Sequence, residues 1–254
     1  MVWEAYLKVR SNKGSAGVDA ISMQDFDANR SKLLYKLWNR MASGSYFPPP
    51  VKEVDIPKKD GSFRKLGIPT ISDRVGQMVI KMFIEPRLEA VFSPNSYGYR
   101  PNKNAHQALA KVRENCWRND WVIDLDIKGF FDNIDHDKLM LAVTKHVPEM
   151  WVKRYIKRWL EASVFTTSGD LIQKQGKGTP QGGVISPLLA NLFLHYAFDK
   201  WLEKTDKCVV FCRYADDVII HCRNKAHAER ILNLVHQRME SVGLELHPKK
   251  TKIV

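Results

Sequence analysis

The stretch Cys208–Cys222, CVVFCRYADDVIIHC, sets two adjacent acids, Asp216 and Asp217, between two apolar runs. Val, Ile and Phe suit half-buried strands, so the pattern predicts a two-stranded hairpin with the acids at its tip. Taken alone, the acids have an ordinary explanation, because Asp is a common turn residue and a solvated tip asks nothing more of it. A second acidic stretch changes the weighing. WVIDLDIKGFFD (121–132) predicts a strand over 121–127 that breaks at Gly129, and the two-residue period puts Asp124 and Asp126 on one face. If this strand pairs with the hairpin, three or four carboxylates converge. Such a cluster repels itself unless cations neutralise it, and Mg²⁺ takes a few carboxylates and completes its shell with phosphate oxygens and water. Two such ions about 4 Å apart would serve an in-line displacement at phosphorus.

Composition supports a nucleic-acid partner. The chain has 254 residues, 40 Lys and Arg against 28 Asp and Glu, and a formal charge of +12. A pI near 9.5 favours a polyanionic partner or an anionic lipid. With 44% apolar residues the chain can bury a large core, which excludes disorder. No apolar run approaches the roughly 20 residues of a membrane span, and the N-terminal MVWEAYLKVRSNKG lacks a signal-peptide core, so the expectation is a cytoplasmic protein with no membrane partner. Cys116, Cys208, Cys212 and Cys222 form no CxxC pair and are read as reduced thiols.

Leu33, Leu34, Leu37, Trp38 and Met41 recur at helical spacing, ended by Gly44. PVKEVDIPKKDGSFRKLGIPT reads as two strands joined at Asp60-Gly61, a hairpin carrying Lys58, Lys59, Arg64 and Lys65. Helices are predicted over 72–91, 103–118 and two stretches between 138 and 162, the later one with Lys153, Arg154, Lys157 and Arg158 on its polar side. GKGTPQGGVISPLLAN is a glycine-rich loop entering an apolar, buried helix, with Ser186 as the expected N-cap and Pro187 at the first helical position. A last amphipathic helix precedes a basic strand or loop, LELHPKKTKIV.

The ordered set IPKKDGSFRKLGIPTISDRV, YGYRP, DIKGFFD, GTPQGGVISPLLAN, RYADD and VGLELHPKKTKI resembles the reverse transcriptases encoded by group II introns, also called maturases, from about Gly14 to Val254. The resemblance implies an α/β (α+β) right-hand polymerase: fingers over 1–115, with helices 72–118 bridging onward, and a palm over 116–254 whose antiparallel sheet is backed by helices. It implies Asp126, Asp216 and Asp217, with the Ile127 carbonyl, as ligands of two Mg²⁺ ions, Mn²⁺ being the alternative. Asp124 matches no catalytic position and reads as a part-buried neighbour. Phe131 matches the aromatic that excludes a ribose 2′-OH by collision, leaving Phe130 to the core. Lys58 and Arg64 match the residues that hold the triphosphate, a point contact and a bidentate one. Gln181 packs near the nucleotide in the family, and Lys250 matches a late-palm lysine that neutralises pyrophosphate.

The implied activity is RNA-directed DNA synthesis on template RNA or intron RNA, from a DNA primer and deoxynucleoside triphosphates, with intron binding for splicing and mobility. The alternative class is a non-catalytic RNA-binding or splicing module, drawing on the basic 149–161 helix and the YGYRPNKN loop. Retron and CRISPR-associated relatives share YADD. A homodimer is compatible with the sequence. The family continues into a thumb after the palm, whereas this chain stops four residues after Lys250. The expectation is therefore a thumb-less piece, weak in processive synthesis by itself.

Overall fold

A computed structural model of the chain describes residues 1–57, 61 and 63–254. It begins with helices α1 (Val2–Ser11), α2 (Met23–Ala28) and α3 (Arg30–Ala42), followed by strands β1 (Val51–Pro57) and β2 (Phe63–Ile68). Next come α4 (Ile71–Glu89), α5 (Ala105–Cys116), β3 (Trp121–Leu125), α6 (Phe130–Asn133), α7 (His136–His146) and α8 (Met150–Leu160). Short strands β4 (Val164–Phe165) and β5 (Leu171–Ile172) precede α9 (Ser186–Leu194), a π-helical turn His195–Asp199, and α10 (Lys200–Thr205). The chain closes with β6 (Val210–Tyr214), β7 (Asp217–Cys222), α11 (Lys225–Ser241) and β8 (Lys252–Ile253).

Contacts divide these elements into two units, Met1–Pro86 with Val143–Ser186, and Arg87–Ala142 with Pro187–Val254. In the first unit a sheet of order β2-β1-β4-β5 combines two antiparallel hairpins with a parallel junction of β1 and β4. The β4–β5 hairpin was not anticipated, since each strand is only two residues long and carries no alternation to read. Helix α8 buries Val152, Tyr155, Ile156, Trp159 and Leu160 along one face, as its amphipathic spacing requires. Helix α2 starts with a capping box, in which the Ser22 side chain accepts from the Asp25 amide and the Asp25 side chain accepts from the Ser22 amide.

The second unit contains an antiparallel sheet of order β6-β7-β3-β8. Helix α11 lies against β3 and β7, and α5 against β6 and β7. Ile123, Leu125, Phe211, Val218 and Ile220 of the sheet are buried, as are Ile231, Val235 and Met239 of α11. At about 25 cal/mol per Å² of apolar surface, such fully covered side chains each contribute roughly 1.5–3 kcal/mol to holding the strands in register. The expected apolar helix is α9, with Leu188, Leu189, Leu192 and Phe193 all covered.

Two local expectations are corrected. The predicted strand over 121–127 ends at Leu125, paired with Val218, and Asp126, which the register would set opposite Asp217, makes its backbone bond elsewhere. The chain then changes partners: the Asp126 carbonyl accepts from the His247 amide at 2.8 Å, and Ile127 bridges Leu246. Ser186, the expected N-cap, is itself the first helical residue, and its hydroxyl oxygen accepts from the Thr179 hydroxyl at 2.8 Å.

Candidate active site

β6 and β7 pair as far as Tyr214 with Asp217, so Ala215 and Asp216 form a two-residue hairpin loop. Ala215 has φ +58°. A left-handed conformation costs an L-residue about 1–2 kcal/mol, and hairpin loops of this length normally place Gly there. Surrounding contacts hold the loop in place. Arg213, fully buried one residue from the turn, donates from Nη1 to the Ala215 carbonyl at 2.9 Å and to Asn191 Oδ1 at 2.9 Å. Its Nε and Nη2 form a fork on the Asp199 carboxylate at 2.8 and 2.6 Å. Asn191 in turn donates to the Gly98 carbonyl at 2.7 Å, and a Cβ on Gly98 would lie 2.3 Å from the Ala215 nitrogen. The YGYRP loop therefore passes backbone against backbone behind the turn, an approach that only glycine permits. The backbone adds a further clasp, with the Arg213 amide donating to Asn95 and the Tyr97 amide to Arg213.

The acids interact through their charges. Asp126 receives the Lys250 ammonium on Oδ2 at 3.0 Å, which with the carboxylate's charge raises the lysine above its ordinary value. The Asp217 carboxyl is pushed up, first by desolvation and then by the negative charges of Asp216 and Asp126, with a smaller part from Asp124. Asp124 is part-buried in β3, opposite Ile219 and Lys252. Carboxylates close enough to act on the Asp217 charge in this way form a donor set suited to a hard divalent cation. Among the described residues, no three acidic, His or Cys side chains are gathered tightly enough to hold one ion as they stand.

Phe130 and Phe131 follow at α6, which starts after Gly129 in a left-handed conformation, φ +54°. Both rings are buried and meet edge to face at 5.4 Å, with Phe130 also 6.5 Å from Phe193. Ile127 is buried beside Asp126.

The remaining nucleotide candidates lie in the first unit. The Arg64 Nε, on β2, donates to Gln181 Oε1 at 2.6 Å, and the Gly67 amide donates to the Gln181 carbonyl at 2.6 Å. The TPQGG loop is thus fastened to the basic hairpin, and a Cβ on Gly182 would lie 2.3 Å from the Gly67 oxygen. Lys58, the other triphosphate candidate, lies outside the described residues. Below this loop Asp73 is buried and accepts from Trp159 Nε1 at 2.6 Å, Tyr46 Oη at 2.9 Å and Gln77 Nε2 at 2.9 Å. The Gln77 Oε1 accepts from the Ile185 amide at 3.3 Å, so the chain of bonds reaches the loop's exit.

Some residues read as RNA contacts have structural occupations. Arg158 donates to the Gly44 and Tyr46 carbonyls at 2.8 and 2.6 Å and lies over the Phe47 ring. In YGYRPNKN, Arg100 donates to the Ser93 and Ser96 carbonyls and pairs with Glu89, while Lys103 sits over the Tyr97 ring. Sequence reading passed over Gly98, Asn191, Asp199 and Arg213. The available signal was Arg213 itself, a cation inside an apolar strand run.

Comparison with known proteins agrees with this geometry. The family model described as reverse transcriptase (RNA-dependent DNA polymerase) matches residues 56–254. Protein YkfC of Escherichia coli is 32% identical over 283 residues, covering 96% of this chain and 74% of YkfC. The group II intron-encoded protein LtrA of Lactococcus lactis is 32% identical over 98% of this chain, which spans only 42% of LtrA. Among solved structures, telomerase from Candida albicans in complex with a fragment of telomeric RNA superposes with TM-score 0.65 at 13% identity, covering 91% of this chain and 45% of that one. That likeness establishes a shared right-hand polymerase fold. By the extent of the family match and its identity to the group II intron-encoded proteins, the chain belongs to the reverse transcriptase family.

Proposed function

We propose that the chain carries out RNA-directed DNA synthesis with the Asp126, Asp216 and Asp217 carboxylates as its catalytic acids. The observation that carries the reading is the negative charge that Asp126 and Asp216 bring to bear on Asp217, with Asp126 directly following β3 and Asp217 opening the neighbouring β7. A protein that only bound RNA would gain nothing from clustered carboxylates facing phosphate. The three acids and the Ile127 carbonyl would hold divalent ions, Mg²⁺ or Mn²⁺. When bound, those ions would activate the primer hydroxyl and stabilise the leaving pyrophosphate.

The chain's own groups supply the rest. The Lys250 ammonium, paired with Asp126, would supply a positive charge for the leaving phosphate. Arg64 offers a planar fork for phosphate oxygens, already oriented by Gln181. Lys58 would add a point charge. Phe131, packed on the rigid Phe130 ring, would refuse a 2′-hydroxyl by collision. In this reading residues 1–115 act as fingers and 116–254 as palm, a functional division distinct from the grouping by contacts. Template RNA, a DNA primer and deoxynucleotides are the substrates, intron RNA is the splicing partner, and a homodimer is an allowed assembly. The basic charge of the chain supports phosphate contacts of this kind.

The test is incorporation of a single deoxynucleotide on an RNA template, comparing the wild type with Asp216→Ala. Loss in the variant supports the reading. Equal incorporation by both proteins would sink it, and RNA binding with no incorporation by either would favour the splicing-module alternative.

A further inference from the structure

Three sequence motifs without an assigned role meet at one buried point: the YGYRP loop, the LLAN of α9, and the Arg that precedes YADD. We infer that Arg213, clamped by Asp199 and Asn191, is a positioning residue that holds the Ala215–Asp216 turn in the geometry its carboxylates need. The inference rests on the reading of that turn as catalytic.

The argument runs from cost to purpose. Arg213 and Asp199 are both fully buried, and a buried ion pair is rarely a source of net stability, since desolvating two charges consumes most of their attraction. Well-packed apolar residues would hold the core as well. What apolar residues cannot do is donate to the Ala215 carbonyl, and Arg213 Nη1 does so at 2.9 Å, immediately before Asp216. That carbonyl belongs to the left-handed residue of the loop, a conformation that persists only where its surroundings over-determine it. Each remaining Arg213 hydrogen bond fixes the guanidinium in space. Asn191 receives the same Nη1 and holds Gly98, whose missing Cβ lets the backbone close on Ala215.

Asp199 is itself placed by an unusual local structure. It ends the π-helical turn His195–Asp199, the one departure from α geometry along Ser186–Thr205. Single π turns are rare, and they frequently mark functional positions because they shift the side chains that follow them. Here the turn brings Asp199 to the Arg213 fork. The route from helix to turn is therefore continuous: π turn, Asp199, Arg213, Ala215 carbonyl, Asp216.

Two variants separate positioning from plain stability. Arg213→Lys keeps a cation for Asp199 but loses the fork and the contact with Ala215. Arg213→Met combined with Asp199→Leu removes the ion pair and leaves no unpaired charge, so the core should still fold cooperatively. In both, amide exchange over residues 214–217 should rise at least about tenfold. The kcat for single-nucleotide incorporation should fall roughly 100-fold with KM for the nucleotide little changed, as displacement of a catalytic group by about 1 Å would produce. A folded double variant with wild-type exchange and wild-type kcat would overturn the inference, because the pair would then be a core filler. Wild-type exchange decides the matter even if neither variant folds: a turn exchanging as fast as the exposed Gly169 loop overturns it, and a protected one supports it. Should the wild type incorporate no nucleotide, the catalytic reading fails, while exchange still reports whether Arg213 holds the turn.

Discussion

Each unit of the molecule contains a fully covered carboxylate, and the two are satisfied differently. Asp199 is paired with a guanidinium through a two-bond fork. Asp73 is served by neutral donors, the Trp159 indole, the Tyr46 hydroxyl and the Gln77 amide, and burial lifts its pKa to about 6 in spite of them. The difference follows the work each site does. Asp199 orders a cation whose Nη1 also fixes a backbone carbonyl in the acid turn. Asp73 ties α4 to α8 and to the Tyr46 segment, and through Gln77 to the loop that bears Gln181. One is a rigid, charge-paired clamp, and the other is a neutral-donor rivet whose charge depends on pH.

Removing one member of each site should widen this contrast. Arg213→Ala strands the Asp199 carboxylate without its partner and should cost about 3–5 kcal/mol, read by denaturant unfolding. Trp159→Phe removes one neutral donor from Asp73 while keeping an aromatic ring, and should cost roughly 1–3 kcal/mol. A loss as large for Trp159→Phe as for Arg213→Ala would erase the distinction between clamp and rivet.

The pH dependence sharpens the same comparison. Asp73 has its folded pKa raised from 3.8 to about 6, so between those values the folded state binds a proton that the unfolded state does not. Stability from this group therefore increases as pH falls from about 6 towards about 4, by up to about 3 kcal/mol for the raised carboxyl. Thermal unfolding of the wild type relative to Asp73→Asn should show that slope, and parallel profiles would contradict it. The smallest effect belongs to Lys65 on the basic hairpin, an exposed lysine paired with the part-buried Glu53. Lys65→Ala should change stability by no more than about 1 kcal/mol.

Much of this architecture was legible because apolar alternation on either side of Asp216 and around Asp126 could mean little besides paired strands. The covered α9 helix follows from the sequence, whereas the β3–β7 pairing, left conditional there, takes its register from the structure. The features that escaped notice depend on distant partners. Arg213 looked like one more basic residue until its carboxylate, 14 positions earlier and presented by a π turn, was in place. Beyond Leu125 the backbone of Asp126 and Ile127 turns to the distant His247 and Leu246, partners that the 121–127 stretch does not reveal. Arg158 and Arg100 read as surface cations for phosphate, yet backbone carbonyls of neighbouring loops occupy them. The candidate acids were legible from the residues together with the family's motif order, whereas the side chains that contact their turn were visible only in the fold.

The most direct measurement is single-deoxynucleotide incorporation on an RNA template with Mg²⁺ present, for the wild type and for Asp216→Ala. The account predicts incorporation by the wild type and a loss of at least about 100-fold in the variant, since a group acting on transition-state charge is removed. Incorporation by Asp216→Ala at the wild-type rate would contradict it.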